Sequence, residues 1–164
     1  MPIESTNSVT ELYSGFIKCD IGFLDIKASS EKIVSVYFSD TEPEDGVSNH
    51  IVEQSKSQLL EYFAGSRKSF SLPLDLRGTD FQIDVWHELM KIPFGEVITY
   101  SKLAYRMGDI KKIRAVGTTN GKNPVGIIVP CHRVVGKNGK LVGYGGGLWR
   151  KKWLLDFESG RLKL

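Results

Sequence analysis

The stretch "IIVPCHRVVG", residues 127–136, sets a cysteine, a histidine and an arginine in a row behind Pro130. Cysteine and histidine are the usual parts of a nucleophilic site, because the thiolate attacks and an imidazole can take its proton. His132 and Arg133 beside Cys131 also favour the thiolate. The stretch has a bland reading too. The apolar run looks like a buried strand, and a cysteine after such a run is commonly an inert core thiol. Cys19, inside another strand-like run, fits that reading. Neighbours in an extended chain point opposite ways, so His132 meets Cys131 only through a turn or a bridging water.

The elements that must position these residues fall into two halves. "YSGFIKCD", "FLDIKASS" and "KIVSVYFSD" are three short runs with close turns, which predicts an antiparallel meander. "NHIVEQSKSQLLEYFAG" carries Ile51, Ser55, Leu59, Tyr62 and Phe63 at helical spacing and stops at Gly65. "SRKSFSLPLDLRG" has no helical period and reads as a linker. "TDFQ" at 79–82 is a capping box. Behind it, Phe81, Val85, Trp86, Leu89 and Met90 form an apolar stripe. "TYSKLAYRMG" predicts a further helix between a Thr99 cap and Gly108. "IKKIRAVGTTNGKNP" predicts another, with Ile110, Ile113 and Val116 toward the core. Two short helices joined by a tight turn resemble a helix-turn-helix. The expected fold is α/β. A small amino-terminal sheet-plus-helix domain, 1–78, precedes a winged-helix-like helix-turn-helix domain, 79–164.

Charge divides along the same line. Residues 1–78 hold seven basic and twelve acidic residues, a net −5, and residues 79–164 hold fifteen and seven, a net +8. Either the basic half meets a polyanion or its surface is unevenly solvated. In the last predicted helix Lys111, Arg114, Thr118 and Lys122 share one face, beside the small residues Ala115, Gly117 and Gly121. A glycine inside a helix costs roughly 1 kcal/mol against alanine. Two of them suggest close approach to the backbone, by a nucleic-acid groove or by tight packing.

Other chemistries are excluded or weak. "GTTNGKN" has three residues between its glycines, not the four of a P-loop, and lacks Ser or Thr after the lysine. "GYGGG" misses the dinucleotide spacing. No metal is expected, because the histidines and two cysteines have no ligand spacing. There is no run of about 18 apolar residues, so no membrane span is expected. The stretch "MPIESTNSVTELY" lacks the parts of a secretory signal. Two distant cysteines suit a reducing interior, cytoplasmic or, in a eukaryote, nuclear.

"NPVGIIVPCHRVVGKNGKLVGYGGGLWRKKWLL" resembles the signature of the O6-alkylguanine-DNA alkyltransferases, the methylated-DNA–protein cysteine methyltransferases. "FQIDVWHELMKIPFGEVITYSKLA" and "IRAVGTTNGKNP" are similar to two further blocks of that family, in the same order. Over residues 1–78 the resemblance is architectural only. It implies a role for each matching residue. Cys131 would accept the alkyl group. His132 would draw the thiol proton through a water, and Glu158 would orient that histidine. Asn123 would brace the active-site turn. Tyr100 would help rotate the nucleotide and protonate the leaving guanine. Arg114 would enter the duplex in place of the flipped base. Ala115, Gly117, Thr118, Gly121, Lys122 and Arg133 would join it on the DNA. Tyr144, Gly145 and Gly146 would form a lid over the base. Many members carry serine where Gly145 stands, so only the backbone N–H is left there.

The function this resemblance implies is direct repair of DNA bearing O6-alkylguanine, with O4-alkylthymine as a further candidate substrate. It needs base flipping, no cofactor and one transfer per molecule. The resemblance also implies a minor-groove helix and a protein that is monomeric without DNA. Two rivals make different demands. A non-catalytic lesion sensor of the alkyltransferase-like kind would carry tryptophan in place of Cys131. A thiol hydrolase would turn over and would not need the basic helix.

Overall fold

A computed structural model describes residues 12–162. The stretch read for a secretory signal lies outside them up to residue 11. The amino-terminal unit is a three-stranded antiparallel sheet, β1 (Tyr13–Cys19), β2 (Gly22–Ala28) and β3 (Ile33–Ser39), in that spatial order. Cys19 pairs with Gly22 across a two-residue turn. Gly22 sits at φ +114°, and a Cβ there would lie 2.8 Å from Arg150 Nη2, so this turn requires glycine.

One face of the sheet buries Leu24, Ile26, Ile33 and Val36 under α1 (His50–Phe63), which supplies Ile51, Val52, Leu59 and Tyr62. Asn49 caps α1 by accepting from Val52 N at 2.9 Å, and its amide donates to Ser29 O at 2.9 Å. The helix start is thereby tied to the β2–β3 turn.

The free edge of β3 is covered by chain that the sequence marked as irregular. Ile33 N donates to Pro73 O and Asp75 N to Ile33 O, both at 2.8 Å. Farther along, Val36 N donates to Pro124 O and Gly126 N to Val36 O, both at 2.9 Å. The expected linker thus pairs with the sheet at Leu74, and the segment leading to Cys131 pairs with it at Val125. An open edge would otherwise leave these backbone groups unpaired.

The carboxy-terminal unit is helical: α2 (Asp80–Leu89), α3 (Tyr100–Arg106), α4 (Ile113–Gly121) and α5 (Leu148–Glu158). The Thr79–Gln82 capping box starts α2, with both reciprocal bonds present. Thr99 caps α3 by accepting from Lys102 N at 3.1 Å. Two-residue strands β4 (Ile98–Thr99) and β5 (Val134–Val135) pair in parallel. Trp86 Nε1 donates to Thr119 O at 3.1 Å and locks α2 to α4.

Three sequence expectations fail here, for physical reasons. Ile110 and Ile113 are 58% and 37% exposed, while Val116 is buried. Residues 110–112 form a 3₁₀ turn, whose tighter period takes Ile110 out of phase with α4, and Ile113 stands at the first position of α4. Met90 is exposed because α2 ends before it. Residues 127–129 are buried but are not a strand. Ile127 takes φ +69°, and Ile128, Val129 and Cys131 donate back to Gly126, Val125 and Val129 in successive tight turns. A β-branched residue in the left-handed region is strained, and such strain persists only where the surroundings over-determine it.

The capping box yields a direct test. Thr79→Ala should lower the unfolding free energy by about 1 kcal/mol in a denaturant titration, through the cap alone.

Candidate functional site

Pro130 ends the apolar run, and Cys131–Arg133 form one 3₁₀ turn. That turn supplies the change of direction an extended chain lacks. Asn123 staples the segment before it, with Nδ2 donating to Val129 O at 2.7 Å and Oδ1 accepting from Val125 N at 2.9 Å. Asn120, one turn earlier on α4, donates to Cys131 O at 3.2 Å. The sequence reading missed Asn120, whose only signal is a second asparagine three positions before the first.

Cys131 is buried, and burial pushes its thiol up. The Asn123 side chain and the Lys151 charge pull the other way without reversing the shift. At neutral pH the group rests as a thiol, so attack by sulfur requires a base. His132 is fully buried, and its Nε2 lies 2.8 Å from Glu158 Oε2. Burial pushes the imidazole down and favours its neutral form, although Glu158 opposes this. An ionised Glu158 can only accept, so the ring proton sits on Nε2. The other nitrogen, Nδ1, is then a lone-pair acceptor. It is buried and has no hydrogen-bond partner among the described residues.

Glu158, in the last turn of α5, is the hub of this cluster. Arg133 donates from Nε to Oε1 at 2.7 Å and from Nη2 to Oε2 at 3.0 Å. Tyr62 donates its hydroxyl to Oε2 at 2.7 Å. Burial alone would raise this carboxyl, but the hydrogen bonds and charges of His132 and Arg133 outweigh it and hold it well below the usual range. This corrects the expectation that Arg133 contacts DNA. Arg133 is 5% exposed, and its Nη1 donates to Ile92 O at 2.7 Å. A buried carboxylate needs a planar, permanently charged partner, and the guanidinium fork supplies one.

Cys131 faces a cleft of about 550 Å³ lined also by Phe38, Asp40, Lys122, Asn123, Tyr144, Gly145, Gly146 and Arg150. Tyr144 packs edge-on to Phe38 with ring centroids 6.2 Å apart. Its hydroxyl is buried without a partner among the described residues. At Gly146 a Cβ would lie 2.9 Å from the Phe38 ring, so glycine is needed for close approach. Gly145 is different: its added Cβ would meet only Gly121 O, at 3.8 Å. The space for a side chain at 145 therefore exists.

Two residues holding this loop, Arg150 and Lys151 in "RKK" at 150–152, were not singled out in the sequence. Arg150 donates to Ile21 O at 2.7 Å, to Gly146 O at 3.1 Å and to Asp40 Oδ1 at 2.6 Å. It clasps the 144–146 loop to the amino-terminal sheet. Lys151 is fully buried, with Nζ 3.2 Å from both Val142 O and Gly143 O and 3.4 Å from Tyr100 Oη. Burial pulls its ammonium down to about 8. Only Lys152 is exposed, paired with Asp156 at 2.6 Å.

Tyr100 donates its hydroxyl to Val142 O at 2.8 Å, and burial raises its phenol. Arg114, Ala115, Thr118, Gly121 and Lys122 are exposed on α4, and Gly117 is half-buried across from the Tyr100 ring. Tyr100, Arg114, Gly117 and Val142 line one open hollow. The structure thus brings Cys131, His132, Glu158 and Asn123 into one buried cluster and leaves the α4 set on the surface beside it. Among the described residues no group of His, Cys, Asp and Glu could hold a metal, and no helix is long and apolar enough to cross a membrane.

This arrangement of a cysteine–histidine–glutamate cluster, a lid and a basic helix can be compared with known proteins. Residues 12–76 match the family described as 6-O-methylguanine DNA methyltransferase, ribonuclease-like domain, and residues 80–160 match the DNA binding domain of the same description. A methylated-DNA–protein-cysteine methyltransferase of Mycobacterium tuberculosis is 55% identical over 104 residues, which span 63% of each chain. The match thus spans less than two thirds of that relative. One of Methanosarcina acetivorans is 48% identical over 118 residues, 71% of this chain and 76% of the relative. The crystal structure of Mycobacterium tuberculosis O6-methylguanine methyltransferase superposes with a TM-score of 0.83 at 39% identity, covering 93% of this chain and 96% of that one. A structure of Mycobacterium tuberculosis OGT in complex with DNA gives 0.81 at 42% identity, covering 89% and 92%. The chain belongs to the 6-O-methylguanine DNA methyltransferase family.

The Glu158 cluster predicts how stability depends on charge and pH. Glu158→Gln leaves the buried Arg133 uncompensated and should cost about 3–5 kcal/mol at pH 7. Glu158 is depressed in the fold, so its contribution is present above the unfolded value near about 4.3 and is lost as pH falls. His132 is depressed too, so acidification below about 6.5 also favours the unfolded chain. Thermal melts should show the gap between parent and Glu158→Gln at pH 7 narrowing below about pH 4.3.

Proposed function

We propose that this protein repairs alkylated DNA directly, by moving the alkyl group from O6 of guanine in duplex DNA to the Cys131 sulfur. The observation that carries this reading is the buried Cys131 thiol beside a neutral His132, whose Nε2 is held by Glu158 and whose Nδ1 is free to accept. The names of the relatives and the DNA complex of the mycobacterial neighbour support it.

The steps are set by the groups present. The lesion is stacked in the duplex, so the nucleotide turns out of the helix, at a cost of a few kcal/mol that falls for a poorly paired base. On this reading α3 and α4 act as a helix-turn-helix. The basic face of α4 meets the backbone in the minor groove, and Arg114 fills the gap left by the base. The base enters the cleft under Tyr144, Gly145 and Gly146. His132 Nδ1 takes the thiol proton through a water, and Glu158 stabilises the imidazolium. The sulfur attacks the alkyl carbon in line, a C–S bond forms, and the C–O6 bond breaks. Tyr100 gives its proton to the departing guanine. To do so it must release Val142 O, and Lys151 lies close enough to stabilise the phenolate. The imidazolium proton then restores the tyrosine through solvent.

The product is a thioether with no leaving group, and the site has no second thiol to resolve it. Each molecule acts once. O4-alkylthymine presents an alkyl carbon on a similar exocyclic oxygen and is proposed as a second substrate. The protein works as a monomer in the absence of DNA, in the compartment that holds DNA: the cytoplasm, or the nucleus of a eukaryote.

Intact-mass analysis after mixing with O6-methylguanine duplex should show one added methyl per chain, mapped to Cys131 and absent from Cys19. Release of repaired DNA beyond one equivalent would contradict single use. Arg114→Ala separates flipping from chemistry. At saturating DNA it should still slow duplex repair strongly, while reaction with free O6-benzylguanine, which needs no flipping, changes little. Full recovery of the duplex rate at saturation would make Arg114 a phosphate anchor, whose loss weakens binding uniformly.

A further inference from the structure

Tyr62 belongs to α1 of the amino-terminal unit, 96 residues from Glu158 in sequence, yet its hydroxyl donates to Glu158 Oε2 at 2.7 Å. That is the oxygen that faces His132 Nε2 at 2.8 Å. Tyr62 is fully buried, and its ring sits among Phe63, Phe70, Phe94 and Phe157 with centroids 5.2–5.9 Å away. A phenylalanine would satisfy that aromatic packing. A hydroxyl in such a place costs free energy unless it is bonded, and its one acceptor is the carboxylate that orients the base.

We infer that Tyr62 is a positioning residue for the transfer reaction, through which the amino-terminal unit sets the orientation and basicity of the Glu158–His132 pair. This rests on the function proposed above. The hydroxyl takes part of the charge of Oε2 and fixes the carboxylate's rotation, so that Oε2 meets the histidine edge-on. With the hydroxyl present, Glu158 holds a proton on His132 less tightly, and Nδ1 stays available to a lower pH. The other charged or titratable groups around the pair are Arg133 on the 3₁₀ turn, Lys151 on α5, Tyr144 on the lid and Cys131 itself. Arg133 and Lys151 disfavour the imidazolium, in the same direction as the Tyr62 hydroxyl.

The test is Tyr62→Phe in the full chain, followed by single-turnover methyl transfer from O6-methylguanine duplex between pH 5.5 and 9. The acid limb of the rate profile should move up by roughly half to one pH unit, which is about a three- to tenfold loss on that limb. Raising the pH should rescue most of the rate, with DNA affinity near that of the parent, while loss of a hydrogen bond to a buried carboxylate lowers the melting temperature. An unchanged profile would overturn the inference. So would an equal loss at every pH, since that marks a packing role. A fluorinated tyrosine encoded at position 62 is a stronger donor and should move the limb down; an upward or absent shift counts against the assignment. If the parent chain itself takes up no methyl group, the proposed function fails, and that outcome is distinct from failure of the Tyr62 assignment.

Discussion

The buried carboxylate of Glu158 is the constraint around which the molecule is arranged. An ionised carboxylate in the interior is costly unless its oxygens are fully occupied by donors. Here the donors come from two other elements: Tyr62 on α1, and His132 and Arg133 on the 3₁₀ turn, with α5 carrying the acceptor itself. Satisfying one charge therefore docks the carboxy-terminal helix, the active-site turn and the amino-terminal helix against each other. It also leaves His132 with one defined tautomer. In the proposed reaction Cys131 gains a base because the charge beyond that base is fixed.

The amino-terminal sheet has a part in the site that its distance in sequence does not suggest. The edge of β3 pairs with Pro124 and Gly126 and so holds the strained chain around Ile127 that delivers Cys131. Its Phe38 forms one wall of the cleft, and Asp40 anchors the arginine that holds the lid carbonyl of Gly146. The lid is held from the other side by Lys151 and Tyr100 through Val142 and Gly143. These bonds are made by side chains that the proposed chemistry also uses, so in that proposal entry of a base and proton transfer by Tyr100 would be coupled through one loop.

Much of this was legible in the sequence where local rules decide. The meander, the α2 capping box and the Thr99 cap come from residue types at fixed spacing, and "PCHR" pointed to Cys131 as the candidate acceptor through a resemblance. The failures share a cause, which is that burial depends on tertiary register. Ile110 read as core, but a 3₁₀ turn takes it out of the helical period and leaves it exposed. Arg133 read as a DNA contact, yet it neutralises Glu158, and Lys151, which the sequence did not single out, is held by carbonyls of the loop over the cleft. Tyr62 read only as one position of an apolar stripe, because a stripe shows where the ring goes and not what the hydroxyl meets. Residues 127–129 have the composition of a strand, but paired chain on either side forces them into turns.

The central claim is that burial keeps His132 neutral while Glu158 holds its proton on Nε2, which leaves Nδ1 without a partner among the described residues and able to accept. Nitrogen-15 NMR of the imidazole in the unalkylated protein tests this most directly. The account predicts a neutral ring with Nε2 protonated at pH 6.5, where a free imidazole is about half charged. A ring protonated on Nδ1, or doubly protonated at that pH, would contradict it.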